Sequence, residues 1–396
     1  MKVLKLILTL SAFLCNYFIL SAQTKTPPVR AYEYNSIPGD PLKARMYTLK
    51  NGLKVYLSVY KDGPRFQSMI GVKAGSKTDP ADATGLAHYL EHMLFKGTDQ
   101  YGTKDYAREK ILLDSIFSLY DAYGKLKDSL QRVNAYRQID AVSGAASQYA
   151  IPNEFDKMMT AMGVDGTNAF TSVEQTVYIN DVPSNYLEPF LKVSAERFRK
   201  PVMRLFHTEL EAVYEEKNRA LDNDGRKIYE TTLAALFQKH AYGTQTTIGT
   251  VEHLKNPSLR KIQEYFEKYY VPDNMVISFS GDFNPDEVIK IIDKRFGTMK
   301  PKAVPAFTFK PEDAITSPIV KEVYGPDAES VSISFRFGGA ASNDADMITM
   351  VDMILNNGQA GLFDLNLNQA QKVLSSGSSL NIMRDYSVHT DRKSVV

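Results

Sequence analysis

The stretch Gly85-Leu-Ala-His-Tyr-Leu-Glu-His-Met-Leu-Phe-Lys-Gly97 sets His88, Glu91 and His92 at positions i, i+3 and i+4. On an α-helix these side chains rise from one face with the two imidazoles about one turn apart, so both can reach a single metal ion. Glu91 stands on the same face, where a carboxylate can poise a water held by that ion. Leu86, Tyr89, Leu90, Met93 and Leu94 recur at helical spacing as a second, apolar stripe. An ordinary amphipathic helix with its ionisable side in solvent would show the same two stripes, so that plainer reading stands beside the metal site.

The order H-x-x-E-H is the inverted form of a zinc-protease motif. Catalytic zinc usually takes three protein ligands and keeps a position open, so an acid from another helix is expected. Residues 204–221 offer Glu209, Glu211, Glu215 and Glu216, with Phe206, Leu210, Val213 and Tyr214 marking the buried side. At about 100° per residue, Glu209 and Glu216 fall within roughly 60° of Val213, whereas Glu211 and Glu215 point nearly opposite. Periodicity favours Glu209 and Glu216, with Glu215 kept as a fallback ligand. Of the remaining histidines, His207 reads as packing or as support for the acids, His240 as structural, and His253 and His389 as surface residues.

A chain of 396 residues is long for one domain. Its 43% hydrophobic and 23% charged residues are ordinary for a globular protein. No internal run reaches membrane-spanning length. Lys2 and Lys5 precede Leu6-Ile-Leu-Thr-Leu-Ser-Ala-Phe-Leu14, and Leu20-Ser-Ala22 offers a small-residue cleavage site before Gln23, so residues 1–22 read as a secretory signal peptide. Cys15, the single cysteine, lies inside that segment, so a cleaved chain holds no disulfide and no thiolate ligand. Bulky Leu14 argues against a lipid on Cys15. Without Lys2 and Lys5, 45 of the 47 basic residues remain against 46 acidic ones, which leaves no electrostatic footprint for nucleic acid or an anionic membrane. Export to a bacterial periplasm is expected, with secretion or lipid anchoring as alternatives.

Residues 23–44 read as an extended leader, and residues 45–300 alternate strands and helices in an α+β pattern. Within them, Tyr106, Ile111, Leu112, Ile116, Leu119 and Tyr120 recur at helical spacing in a charged stretch, an insertion over about residues 104–150. It reads as a lid, a partner surface or a plain surface decoration. The prolines of residues 301–318 mark a linker. Residues 319–396 then repeat the earlier order of strand (Ser330-Val-Ser-Ile-Ser-Phe-Arg-Phe337), small-residue turn, helix and glycine. Aligning Leu94-Phe-Lys-Gly97 with Leu355-Asn-Asn-Gly358 sets Thr349, Asp352 and Met353 where His88, Glu91 and His92 stand, so the second copy is metal-free. It is also short beside a first copy of about 255 residues, so a truncated second domain is expected.

The chain resembles the pitrilysin-like (M16) zinc metallopeptidases, which include mitochondrial processing peptidases and insulin-degrading enzyme. Beyond the helix of His88, the resemblance rests on Thr48-Leu-Lys-Asn-Gly-Leu-Lys-Val55, Gly71-Val-Lys-Ala-Gly-Ser76, Asn168-Ala-Phe-Thr-Ser-Val-Glu-Gln-Thr-Val-Tyr178, His240-Ala-Tyr-Gly243, Ile248-Gly-Thr250, Tyr270-Val-Pro-Asp-Asn-Met-Val-Ile277 and Gly281-Asp282. It implies an α/β domain with a mixed, largely antiparallel sheet and helices packed on it, followed by a similar metal-free domain that helps complete a chamber. It implies one Zn2+ per chain on His88, His92 and Glu216, with Glu209 supporting the site and Glu91 as general base for hydrolysis of peptides or unfolded protein segments. Cobalt or manganese suits the same donors. Asn168, Ala169 and Phe170 resemble an edge strand that binds substrate backbone by β-addition; a simple hairpin strand is the plainer reading. A non-catalytic partner subunit is the alternative function, and a partner or further C-terminal domains would complete the chamber.

Overall fold

A computed structural model describes residues 32–394. The expected signal peptide (1–22) and residues 23–31 of the leader lie outside the described residues. Strands β1 (Arg45–Thr48), β2 (Lys54–Val59), β3 (Arg65–Val72), β4 (Asp165–Thr171), β5 (Thr176–Pro183) and β6 (Met275–Gly281) form one sheet in the order β1-β2-β6-β3-β5-β4. Only β2 and β6 run parallel; the other pairs are antiparallel, which gives the mixed, largely antiparallel sheet expected. Alternation selects the faces. Val55, Leu57, Phe66, Ile70, Ile277 and Phe279 are buried on one side, while Gln67 and Met69 emerge on the other.

Helices pack on the buried face and on one another. They are α1 (Leu86–Met93), α2 (Tyr106–Tyr123), α3 (Ser129–Ser147), α4 (Glu154–Ala161), α5 (Leu187–Arg199), α6 (Phe206–Asp222), α7 (Asp224–Leu236), α8 (Leu259–Tyr269) and α9 (Pro285–Phe296). Helix α1 is buried almost all round, so its ionisable stripe does not face solvent: Glu91 is 7% exposed. Its N-terminus is held in two ways. Asp79 accepts from the backbone N–H groups of Gly85 at 2.7 Å and Ala87 at 3.0 Å, which supplies the cap that glycine cannot. Gly85 (φ +88°) also lies directly against Gly249 (φ +90°), where a side chain on either would strike the other segment's backbone. That close approach explains the Ile248-Gly-Thr250 run and brings Ile248 beside α1.

The far end of α1 is joined to the start of α6. Arg204, 1% exposed, donates to both oxygens of Glu109 on α2, at 2.9 and 3.0 Å, and to the carbonyls of Lys96, Thr98 and Tyr101. A buried guanidinium is tolerated because its donors are satisfied this fully. Val202 N–H donates to the Gly97 carbonyl at 3.0 Å, and the Tyr89 hydroxyl donates to the Phe206 carbonyl at 2.5 Å.

Helices α2 and α3 form an antiparallel hairpin, capped by Asp105 and Asp128 and closed at its root by Lys104 N–H to Tyr149 O and Ile151 N–H to Gly102 O. The irregular stretch after α9 runs beyond the expected linker, to residue 329. Strands β7 (Ser330–Gly338), β8 (Ser375–Ile382) and β9 (Tyr386–Ser394) then form a second sheet in the order β7-β9-β8, with α10 (Asp344–Leu355) packed beside it. This unit is fastened to the first by charge. Lys77, 7% exposed, bridges Glu174 at 2.6 Å and Asp385 at 2.9 Å. Glu174 also accepts from the backbone N–H of Arg384 at 3.0 Å. Around these pairs Val173, Leu233, Leu236, Phe237, Tyr242, Met383 and Val388 make a second apolar core.

Two predictions test this framework. Glu109→Ala strands the buried Arg204 charge and should lower unfolding free energy by about 3–5 kcal/mol in urea titrations. Burial pushes the Asp79 carboxyl from 3.8 up to about 8. Its protonated form therefore adds stability that is lost as pH rises through that value, and the stability advantage of wild type over Asp79→Asn should shrink from pH ~4 to ~8 in thermal melts.

Candidate metal centre

Helices α1 and α6 bring three donor atoms to one point. His88 Nε2 and His92 Nε2 are 3.3 Å apart, and Glu216 Oε2 lies 3.4 Å from the first and 3.7 Å from the second. Tetrahedral ligands on bonds of 2.0–2.2 Å stand about 3.3–3.6 Å from one another, so the trio fits a zinc-sized ion. Among the described residues it is the only cluster of three His, Cys, Asp or Glu donors close enough to share one ion. Glu215 is exposed and faces Asn218 instead, so the fallback ligand is not brought to the site.

The surroundings set the protonation of each group. Burial, aided by the charges of His92 and Arg226, lowers the His88 imidazole to about 3, which keeps it neutral and able to ligate. For His92, burial opposes the cation, but the hydrogen bond to Glu209 and the nearby carboxylates outweigh it and raise the pKa. The Glu209 Oε1 to His92 Nδ1 distance is 2.8 Å, and Glu209 Oε2 meets Lys96 Nζ at 2.5 Å. Burial alone would raise the Glu209 carboxyl; His92 and Lys96 pull it below its ordinary value. Glu209 thus stays anionic, fixing the tautomer that leaves His92 Nε2 free to face Glu216.

Glu91 is placed differently. Its Oε2 accepts from the Thr171 hydroxyl at 2.6 Å. Burial pushes its pKa up, with the Thr171 bond pulling the other way. A carboxylate raised towards neutrality and aimed at a metal site is suited to taking up a proton.

An open cleft of about 530 Å³ joins these groups to β4, at the outer edge of the first sheet with no further strand beside it among the described residues. Asn168, Ala169 and Phe170 all line it. Strand alternation separates their roles: Asn168 and Phe170 (43% exposed) share the outer face, while Ala169 and Thr171 turn inward. Lys96, Thr171, Arg226, Thr247 and Ile248 also line the cleft and were not singled out by sequence. For Thr171 a signal existed, since it continues the inward face of the strand after Ala169. None of the cleft-lining residues comes from the α2–α3 hairpin.

His207 packs under the Tyr120 hydroxyl at 2.8 Å, and His240 is fully buried and caps a short turn. The surface assignments of His253 and His389 need correction. His253 Nδ1 accepts from Thr84 N–H at 3.0 Å, beside the start of α1, and His389, 4% exposed, meets Asp352 at 3.0 Å. Each faces an element distant in sequence, which local pattern does not reveal. In the second unit, Asp352 is engaged by His389 and Ser378, Thr349 bonds back to Ala345, and Met353 is exposed.

The family description "Insulinase (Peptidase family M16)" matches residues 57–114 and 142–250, and "Peptidase M16 inactive domain" matches 258–390. The chain belongs to peptidase family M16. The first match skips the α2–α3 junction, and the second begins before α8, so it takes in β6 of the first sheet. A probable mitochondrial-processing peptidase subunit beta of Schizosaccharomyces pombe is 24% identical over 287 residues, 72% of this chain and 51% of the relative. The zinc protease YmxG of Bacillus subtilis, named as uncharacterized, is 25% identical over 68% of this chain and 53% of its own length. Insulin-degrading enzyme of Homo sapiens is 26% identical over 72% of this chain and 24% of its own. The M16 chain thus spans about half the length of the first two relatives. Its fold is shared with a Helicobacter pylori protease (TM-score 0.67, 22% identity, 89% of this chain and 75% of that one) and with pitrilysin (TM-score 0.65, 19% identity, 92% and 36%).

Glu209→Gln removes the anion behind His92 and should weaken zinc binding by about 10–100-fold in chelator competition, with the fold retained. His88→Ala should abolish stoichiometric binding.

Proposed function

We propose that this M16 chain is a zinc-dependent endopeptidase acting on peptides or unfolded protein segments. The observation that carries the reading is the convergence of His88, His92 and Glu216 within 3.3–3.7 Å on an open cleft, beside a strand edge unpaired among the described residues. Names of relatives support it, two of them a zinc protease and an insulin-degrading enzyme. One Zn2+ on those three residues would supply Lewis acidity, making water a nucleophile near neutral pH and polarising the peptide carbonyl. Glu91 accepts the proton from the attacking water and passes it to the leaving amine. Glu209 holds His92 in register, and Thr171 holds the Glu91 carboxylate. The edge residues Asn168, Ala169 and Phe170 receive substrate backbone as an added strand, a mode indifferent to most side chains.

Two further parts belong to this reading. A partner subunit closing the cleft is supported by the name of one relative, a mitochondrial-processing peptidase subunit beta. Export to a periplasm is supported only by the basic and apolar start of the sequence.

The test pairs peptide hydrolysis with metal analysis. Wild type should hold about one zinc per chain and cut unstructured peptides. Glu91→Gln should keep the zinc and lose about 10²-fold or more in kcat. Full activity in a zinc-loaded Glu91→Gln protein removes Glu91 as the base. Zinc and peptide binding without any cleavage in wild type selects the non-catalytic subunit instead.

A further inference from the structure

Arg226, at the start of α7, lines the cleft, and apart from its charge acting on His88 it takes no step in the reaction proposed above. Its Nε donates to Glu230 at 2.8 Å, and the same carboxylate faces the buried Lys217 ammonium at 3.6 Å. Two cations share one carboxylate, so this group of three keeps a net positive charge. Among the described residues, the terminal Nη1 and Nη2 of Arg226 meet no protein acceptor, and the side chain is 30% exposed. Pinning Nε to Glu230 orients the guanidinium and leaves its outer edge, with two parallel N–H donors, for another carboxylate.

The other charges in the cleft are already engaged. Lys96 is paired with Glu209, Glu209 also holds His92, and Glu216 points at the two imidazoles. Arg226 is therefore the one cleft-lining cation, among the described residues, with an edge to offer a ligand. A peptide seated between β4 and α7 presents alternate side chains to this wall.

We infer that Arg226 is a carboxylate-reading subsite, so that the cleft selects peptides carrying Asp, Glu or a free C-terminal carboxylate near the bond to be cut. This rests on the cleft being a peptide-binding site. The test uses fluorescein-labelled octapeptides of alanine with one Glu, Gln or Lys at each position, with free or amidated C-termini. They are titrated by anisotropy against the full, zinc-loaded chain carrying Glu91→Gln, and their kcat/KM is measured with Glu91 intact. Glu or a free terminus should be favoured over its neutral counterpart by about tenfold. Arg226→Ala should bring that ratio near one, Arg226→Lys should restore part of it, and Arg226→Glu should shift preference to Lys. Preference surviving amidation assigns the side chain as the source, and preference lost on amidation assigns the terminus. An unchanged ratio in a folded, zinc-loaded Arg226→Ala or Arg226→Lys protein overturns the inference, as does failure of every peptide to bind. Charge-dependent binding that vanishes in Arg226→Ala, with no cleavage by wild type, upholds the subsite and rejects the peptidase reading instead.

Discussion

Arg204 lies buried where the chain leaves α1 and where it enters α6, bonded to Glu109 and to three carbonyls of residues 96–101. The candidate metal donors His88, His92 and Glu216 come from those two helices. A guanidinium removed from water must keep all its partners or destabilise the fold, so the geometry it imposes is stiff. The Tyr89 hydroxyl on the Phe206 carbonyl adds a second tie between the same helices. Precision at the site is inherited from these joints outside it.

Within the site, neighbouring groups push otherwise similar side chains in opposite directions. Glu209 is held anionic by His92 and Lys96, while Glu91, on the same face as the imidazoles, is pushed up by burial. The two carboxylates are thus set apart in protonation, as the orienting and proton-exchanging roles proposed for them require. Thr171 links Glu91 to β4, so the proposed base is hydrogen-bonded to the strand whose edge is proposed to bind substrate.

The second unit bears on this arrangement although it holds no metal-binding set among the described residues. Glu174, three residues beyond Thr171, is gripped between Lys77 and the Arg384–Asp385 turn. The turn joining β4 to β5 is therefore anchored from both units. The second unit thus contacts the first through this turn, and it lies within the match to the inactive M16 domain over residues 258–390.

Much was legible without coordinates because the decisive signals are local. Histidines four apart on a helix share a face by geometry alone, and the 3.6-residue period separates Glu209 and Glu216 from Glu211 and Glu215. Alternation marked the strand over residues 330–337, while the strands of the first sheet were legible through the family resemblance. What stayed hidden depends on residues far apart in the chain. Arg226 reaches the cleft from α7 only because α6 and α7 meet at residue 223, and His389 is covered by a helix some 35 residues earlier (Asp352 is its partner). Sequence determined which donors exist and on which faces they stand. Tertiary structure decided which of them meet, because convergence to within a few ångströms is set by packing between helices and by buried ion pairs, and neither is periodic along the chain.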